Sequence, residues 1–359
     1  MKTSYIKFLI ISMMIVSIVN PIRGQSHRIA KVAVIQGSSS PRQDPFMPDY
    51  DPAMVRPQSE AHFDKLLGLM EKAGKMGADI VCGPENMQGT APYGLHVDVI
   101  DPETGEILFI SLATQVPGPL TDRVADIAKR YNMYVIAPIC ERVQDKVYNT
   151  SVIFDRNGAI LGKYRKTRFP VMESWLFTPG DEFPVFKTDF GTIAIATCWE
   201  IAFPEISEIY ALKGADIIFN PTMGRENRGP GLATAPRYLT RAMDNYVYIA
   251  PVIIGSDGSG IIDFNGEVLA EAPGVTDTVI MAEIDFSKEP VLDSDWWTTI
   301  NGTDNKKAIH FISRRPELYK LLTLPDPPLL QRYKEVHITT GDRQRQLEAV
   351  KAVDYGPKE

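Results

Sequence analysis

The sequence predicts an α/β fold, layered as a sandwich of sheets and helices with an internal two-fold repeat. Three observations carry this expectation. Strand-like β-branched runs alternate with stripes of helical period, Asn-Gly hairpin signals stand among them, and two short motifs recur in the same order in the two halves. Ile29 to Ile35 is a β-branched run of buried-strand character. Ser59 is the expected cap of a helix whose stripe is Phe63, Leu66, Leu67, Met70 and Ala73; the neighbouring His62 falls off that stripe and is expected to face solvent. Gly77 ends this helix, and Ala78 to Cys82 forms the next strand. Thr121 is the expected cap of a second helix with Val124, Ile127, Ala128 and Tyr131 on one face, followed by a strand from Met133 to Ile139. The alternation returns as strand Thr192 to Thr197, a helix after Pro204, strand Asp216 to Phe219, a helix ending near Asn245, and strand Tyr246 to Ile253.

The repeat rests on two echoes. Gly77-Ala78-Asp79-Ile80 returns as Gly214-Ala215-Asp216-Ile217, each time between a helix and a strand. Asp155-Arg156-Asn157-Gly158 returns as Asp263-Phe264-Asn265-Gly266, and there Asn-Gly predicts hairpins with positive φ at both residues. No low-complexity linker interrupts residues 29–288, which are taken as one domain, with residues 289–359 as a C-terminal extension.

Composition narrows the function. At 44% hydrophobic and 23% charged residues the chain is of globular type, and its net charge of -7 argues against a nucleic-acid partner, since neutralising phosphates needs a basic face. Lys2 and Lys7 precede an apolar run from Phe8 to Val19, followed by Gly24, Gln25 and Ser26. This is the build of a secretory signal peptide over residues 1–24, predicting an exported protein without stable membrane insertion after cleavage. Three cysteines, Cys82, Cys140 and Cys198, do not make a disulfide framework, and none forms a Cys-x-x-Cys pair that would suggest structural zinc.

Three residues carry candidate chemistry. Cys198 ends the apolar strand before Pro204-Glu205 opens a helix, a corner that holds a thiol out of the sheet near backbone amides able to lower its pKa or receive an oxyanion. Glu85 follows the strand ending at Cys82, where desolvation would tune a carboxylate toward general-base work. Lys166 lies just beyond a hairpin strand in Lys163-Tyr164-Arg165-Lys166. Singly, each has a commoner reading as a buried thiol, a loop carboxylate or a solvated cation.

Together they resemble the nitrilase, or carbon–nitrogen hydrolase, superfamily. The order Pro84-Glu85, then Lys163-Tyr164-Arg165-Lys166, then Cys198-Trp199-Glu200 is similar to the family's, as are Pro204-Glu205, Asn220-Pro221 and Arg241-Ala242-x-Asp244-Asn245. The resemblance spans about residues 29–288. It implies a four-layer α-β-β-α sandwich without metal or organic cofactor, usually paired into a homodimer or higher homo-oligomer. It also implies Glu85 as general base, Cys198 as nucleophile and Lys166 as the cation facing the tetrahedral intermediate. Glu173 would be a second carboxylate beside the thiol, and Trp199 would offer its backbone amide to the oxyanion. Asn220 and Arg225 are expected to touch substrate. The substrate expected is a small amide or N-carbamoyl compound. A nitrile is the alternative, favoured by Cys198-Trp199-Glu200, while Phe203-Pro204-Glu205 and Arg314-Arg315-Pro316-Glu317 resemble the amidase and carbamoylase branches. A catalytically silent binding protein on the same fold would be expected to have lost a member of the set. A cysteine–histidine hydrolase would need His27, His62, His96, His310 or His337 beside Cys198.

Overall fold

Alternation along the strands sets the layers. In β1 (Ile29–Gln36), Val32 and Val34 face one way while Ala33 and Ile35 face the other, and all four are buried. A strand buried on both faces needs a layer on each side, which one sheet alone cannot supply. The computed structural model describes residues 28–40, 45, 50–89, 99–170, 173–174, 176–224, 226–292, 300 and 302–333.

Two six-stranded sheets form the centre. The first holds β1, β2 (Ile80–Cys82), β3 (Tyr134–Val143), β4 (Lys146–Phe154) and β5 (Ile160–Arg165), with β12 (Thr278–Asp285) on the outer side of β1. The second holds β7 (Thr192–Ile195), β8 (Ile217–Thr222), β9 (Tyr248–Ile253), β10 (Gly260–Ile262) and β11 (Val268–Glu271), with β6 (Phe186–Lys187) outside β7. Each sheet has a parallel trio followed by two antiparallel strands, and each trio is flanked by one antiparallel strand. The sheets pack face to face through Val32, Val34, Ile136 and Tyr164 on one side and Ile193, Ile195, Phe219 and Ala250 on the other.

Helices α1 (Pro52–Lys75) and α3 (Pro119–Tyr131) cover the outer face of the first sheet through Phe63, Leu66, Met70, Val124 and Ile127. Helices α4 (Pro204–Leu212) and α5 (Pro236–Asn245) cover the second through Ile206, Tyr210, Tyr238 and Ala242. The result is the α-β-β-α sandwich. A short α2 (Leu108–Leu112) precedes α3, and α6 (Lys306–Ile312) begins the C-terminal segment. That segment lies against the outside of α4 and α5. Arg314 donates to Glu208 at 2.8 Å, and the His310 ring meets Tyr246 edge-on.

Both echoes mark equivalent places. Asp79 precedes β2 and accepts from Lys31 N at 2.9 Å; Asp216 precedes β8 and accepts from Thr192 N at 2.7 Å. Each carboxylate thus ties its strand to the start of the preceding one, and Gly77 and Gly214 supply positive φ (81° and 84°) just before. In the two turns, Asp155 and Asp263 accept from the backbone two and four residues on, and only Gly158 and Gly266 have positive φ. These are Asx-type turns with a register shift in the flanking strands, not the two-residue hairpins with positive φ at both positions that Asn-Gly predicted.

Several boundaries differ from expectation. Helix α1 starts at Asp51-Pro52, with Asp51 accepting from Ala53 N, and runs through Pro57; Ser59 is not its cap but a buried residue donating to Gln88 O at 2.5 Å. His62, expected at the surface, is 4% exposed, because the chain at Ser40 and Gly89 lies over that face of the helix. Burial and the nearby Lys65 ammonium push its pKa down to about 4. Thr121 is the third residue of α3 rather than its cap, with its hydroxyl accepting from Gly118 N at 2.8 Å. Residues 1–24 lie outside the described chain, and no helix among the described residues is long and apolar enough to cross a membrane.

Candidate active site

The carboxyl ends of the parallel strands gather at one edge, the position where open α/β sheets hold their ligands. There the chain leaving β2 carries Glu85, the chain leaving β7 carries Cys198, and Met223 follows β8. Lys166 directly follows β5, an antiparallel strand running out to the same edge.

Lys166 is fully buried and sits between two carboxylates. Its Nζ donates to Glu85 Oε1 at 2.9 Å and to Glu173 Oε2 at 2.6 Å. Glu85 is itself 1% exposed and accepts from Asn149 Nδ2 at 2.8 Å and from the Met223 backbone amide at 3.0 Å. Four contacts therefore orient one carboxylate and one ammonium inside the protein, where an unpaired charge would be costly. Burial opposes the charge on Lys166, but the Glu85 and Glu173 carboxylates more than offset it and raise its pKa, so the ammonium stays protonated.

Cys198 is half-buried at the β7 exit and opens a single 3₁₀ turn, Cys198–Ala202, before α4. Its φ of 54° is in the left-handed region, which for a non-glycine residue costs roughly 1–2 kcal/mol and must be held by its surroundings. Asn220 supplies part of that hold. Its Nδ2 donates to Ala196 O at 2.5 Å and Cys198 O at 3.1 Å, while its Oδ1 accepts from Tyr238. Asn220 was expected to touch substrate; with both amide hydrogens and its carbonyl engaged inside the protein, it instead braces the turn that presents the thiol. Burial, then the Glu85 charge, push the thiol pKa up to about 12, while Lys166 and a Thr222 hydrogen bond pull against them. At rest the sulfur carries its proton. Glu173 is pushed up to about 7, first by burial and then by the Glu85 charge.

Glu85, Lys166 and Glu173 are in direct contact, and the charges acting on Cys198 are those same three. The Trp199 ring is partly exposed and packs edge-on against Phe203, next to the thiol turn. Arg225 lies outside the described residues, as do His27, His96 and His337. His62 packs under the Ser40 and Gly89 chain and His310 packs on the outer helical face, so neither accompanies the thiol. Phe169, Met223 and Leu176 pack on the apolar cluster of Phe109 and Phe177 beside the ammonium, with the Phe169 ring 5.7 Å from Nζ.

Asn149, Thr222 and the Met223 amide escaped the sequence reading. A signal for the first was present, because Asn149-Thr150-Ser151 puts polar residues inside a strand bounded by Val147 and Val152, and all are buried. Polar groups in a buried strand need partners, and here one partner is Glu85.

Fold and cluster together define an α-β-β-α sandwich protein with a thiol, an ammonium and paired carboxylates at one sheet edge. The chain belongs to the carbon–nitrogen hydrolase family, whose model matches residues 31–289, and is thereby a hydrolytic enzyme acting on C–N bonds. It is similar to omega-amidase NIT2 of Bos taurus, with 32% identity over 245 residues covering 62% of this chain and 82% of that protein. It is also similar to beta-ureidopropionase of Arabidopsis thaliana, 34% identical over 204 residues that cover 54% of this chain and 46% of that one. Among solved structures, a carbon–nitrogen hydrolase from Helicobacter pylori G27 shares the fold with a TM-score of 0.62 at 20% identity, covering 83% of this chain and 99% of that chain. An amidase from Nesterenkonia sp. AN1, seen in variant form with the acetamide moiety of fluoroacetamide added at its active-site cysteine, shares it with a TM-score of 0.60 at 17% identity, covering 81% and 95%.

Proposed function

We propose that the protein hydrolyses the C–N bond of small amides, N-carbamoyl compounds included, through a thioester on Cys198. The observation that carries the reading is the buried Lys166 ammonium held by Glu85 and Glu173 within the electrostatic reach of the Cys198 thiol. An amide carbon is a weak electrophile, so attack needs a thiolate and a cation where negative charge develops. Glu85 takes the thiol proton as sulfur bonds to the carbonyl carbon. The oxyanion so formed is met by Lys166 and the Trp199 backbone amide. Glu85 then gives its proton to the leaving nitrogen, the C–N bond breaks and the amine or ammonia departs. Water attacks the thioester while passing a proton to Glu85, and the acid leaves as the thiol is reprotonated. Glu173 keeps the Lys166 chain aimed. The names of the omega-amidase and beta-ureidopropionase relatives support amide-type rather than nitrile substrates. The test is ammonia release from a panel of amides, carbamoyl amino acids and nitriles beside a Cys198→Ala control. Release confined to nitriles, or unchanged in the control, refutes the proposal.

The same reading extends to assembly and place. Ile312, Leu318, Leu321, Leu322 and Leu329 stand between 57% and 82% exposed on the C-terminal segment, an apolar set available to a second copy of the chain. A homo-oligomer that covers them is the proposal, and light scattering that gives a monomer at micromolar concentration refutes it. The basic and apolar character of residues 1–24 supports export, which N-terminal sequencing of the mature protein checks.

A further inference from the structure

Two residues past the thiol, Glu200 is a fully buried carboxylate whose partners among the described residues are hydroxyls and backbone amides. Its Oε1 accepts from Thr167 N at 2.7 Å, Thr167 Oγ1 at 2.7 Å and Arg168 N at 3.2 Å. Its Oε2 accepts from Tyr164 OH at 2.6 Å and from Thr197 N at 2.7 Å. Tyr164, Thr167 and Arg168 flank Lys166, while Thr197 immediately precedes Cys198. One side chain therefore ties the segment carrying the ammonium to the segment carrying the sulfur, and it meets neither group itself.

The geometry points to Glu200 as a positioning residue that sets the separation of Lys166 from Cys198, an inference that rests on the thioester reading above. Five donors converge on two oxygens, so the carboxylate is locked and the two segments are locked with it. A glutamine cannot replace it. Each oxygen receives at least one backbone N–H, so in either orientation the glutamine NH2 would face a backbone donor that cannot turn away. The charge matters as well, because Glu200 is among the groups that raise the Glu173 pKa.

The experiment compares kcat, KM and the pH profile of wild type and Glu200→Gln on a short amide, with folding checked by circular dichroism. Loosening the alignment is expected to lower kcat about 100-fold while KM moves less than about threefold. The limb of the profile that depends on Glu173 is expected to move to lower pH because the Glu200 charge is gone, while the fall in kcat at nearly constant KM is the change that a merely structural role would not produce. Should Glu200→Gln not fold, the Tyr164→Phe, Thr167→Val pair removes two donors and keeps the carboxylate. Its kcat is then expected to fall at least about tenfold, with partial recovery when Thr167→Ser replaces Thr167→Val. A folded variant of either kind with kcat within about threefold of wild type overturns the inference. Cys198→Ala runs alongside. Turnover by that variant would sink the thioester reading and this inference with it, whereas a dead Cys198→Ala beside a fully active Glu200→Gln sinks only the inference.

Discussion

Replacing Lys166 by methionine keeps an unbranched side chain of nearly the same length and removes the charge from between two carboxylates. Lys166 Nζ donates to both Glu85 and Glu173 and is fully buried, so the variant leaves two acidic groups facing each other without a cation. Removing one member of such a buried set costs on the order of 3–5 kcal/mol of stability, which for a chain of this length is a fall in Tm of roughly 4–7 °C. The sign of its pH dependence follows. Without the ammonium, the folded-state pKa of Glu173 rises further above the unfolded value, so the folded state holds more protons and its stability falls as pH climbs through that interval. Wild-type Glu173 already shows this direction, standing near 7 because of burial and the Glu85 charge. The Tm deficit of Lys166→Met is therefore expected to be small at pH 5 and large at pH 8. Turnover loses its oxyanion cation, a loss of about 100- to 1000-fold in kcat. The assays are calorimetry at the two pH values and ammonia release from a short amide. A kcat within about tenfold of wild type, or an equal Tm deficit at both pH values, refutes the reasoning.

Other perturbations test neighbouring links. Cys82 and Cys140 are buried and Cys198 is half-buried, so native protein is expected to take up one equivalent of iodoacetamide at Cys198, at a rate that climbs with pH toward its raised pKa. Peptide mapping that finds a second labelled cysteine contradicts this. The kcat/KM profile should fall on the acid side of about pH 7 as Glu173 takes up a proton and ceases to be the second charged partner of Lys166; that limb should vanish in Glu173→Gln. Asn220→Ala removes the brace on Ala196 O and Cys198 O and is expected to cost about 1–3 kcal/mol in thermal unfolding together with a fall in kcat. Unchanged unfolding and turnover would show that the left-handed Cys198 needs no such support.

Much of this architecture was legible because it repeats short-range physics. The β-branched run from Ile29 to Ile35 announced a buried strand, and the repeated Gly-Ala-Asp-Ile at Asp79 and Asp216 marked equivalent strand entries. The readings that missed depend on what lies across space. His62 looked solvent-facing from its own helix, yet Ser40 and Gly89 cover it from other segments. Asn-Gly by itself predicts a two-residue hairpin, but the Asp155 and Asp263 carboxylates accept from the backbone two and four residues on and close a longer turn.

The sequence alone determined which side chains were available and in what order, and so the α/β class, the repeat and the residues Glu85, Lys166, Cys198 and Glu173 as candidates. Only the tertiary structure decided which atoms meet. It put Lys166 between two carboxylates, turned Asn220 inward to brace the thiol turn, and made Asn149, 64 residues from Glu85 in sequence, a partner of that carboxylate. The physical reason is range. Periodicity and capping act over a few residues and can be read along the chain, whereas a buried charge takes its properties from groups within a few ångströms that folding alone brings together.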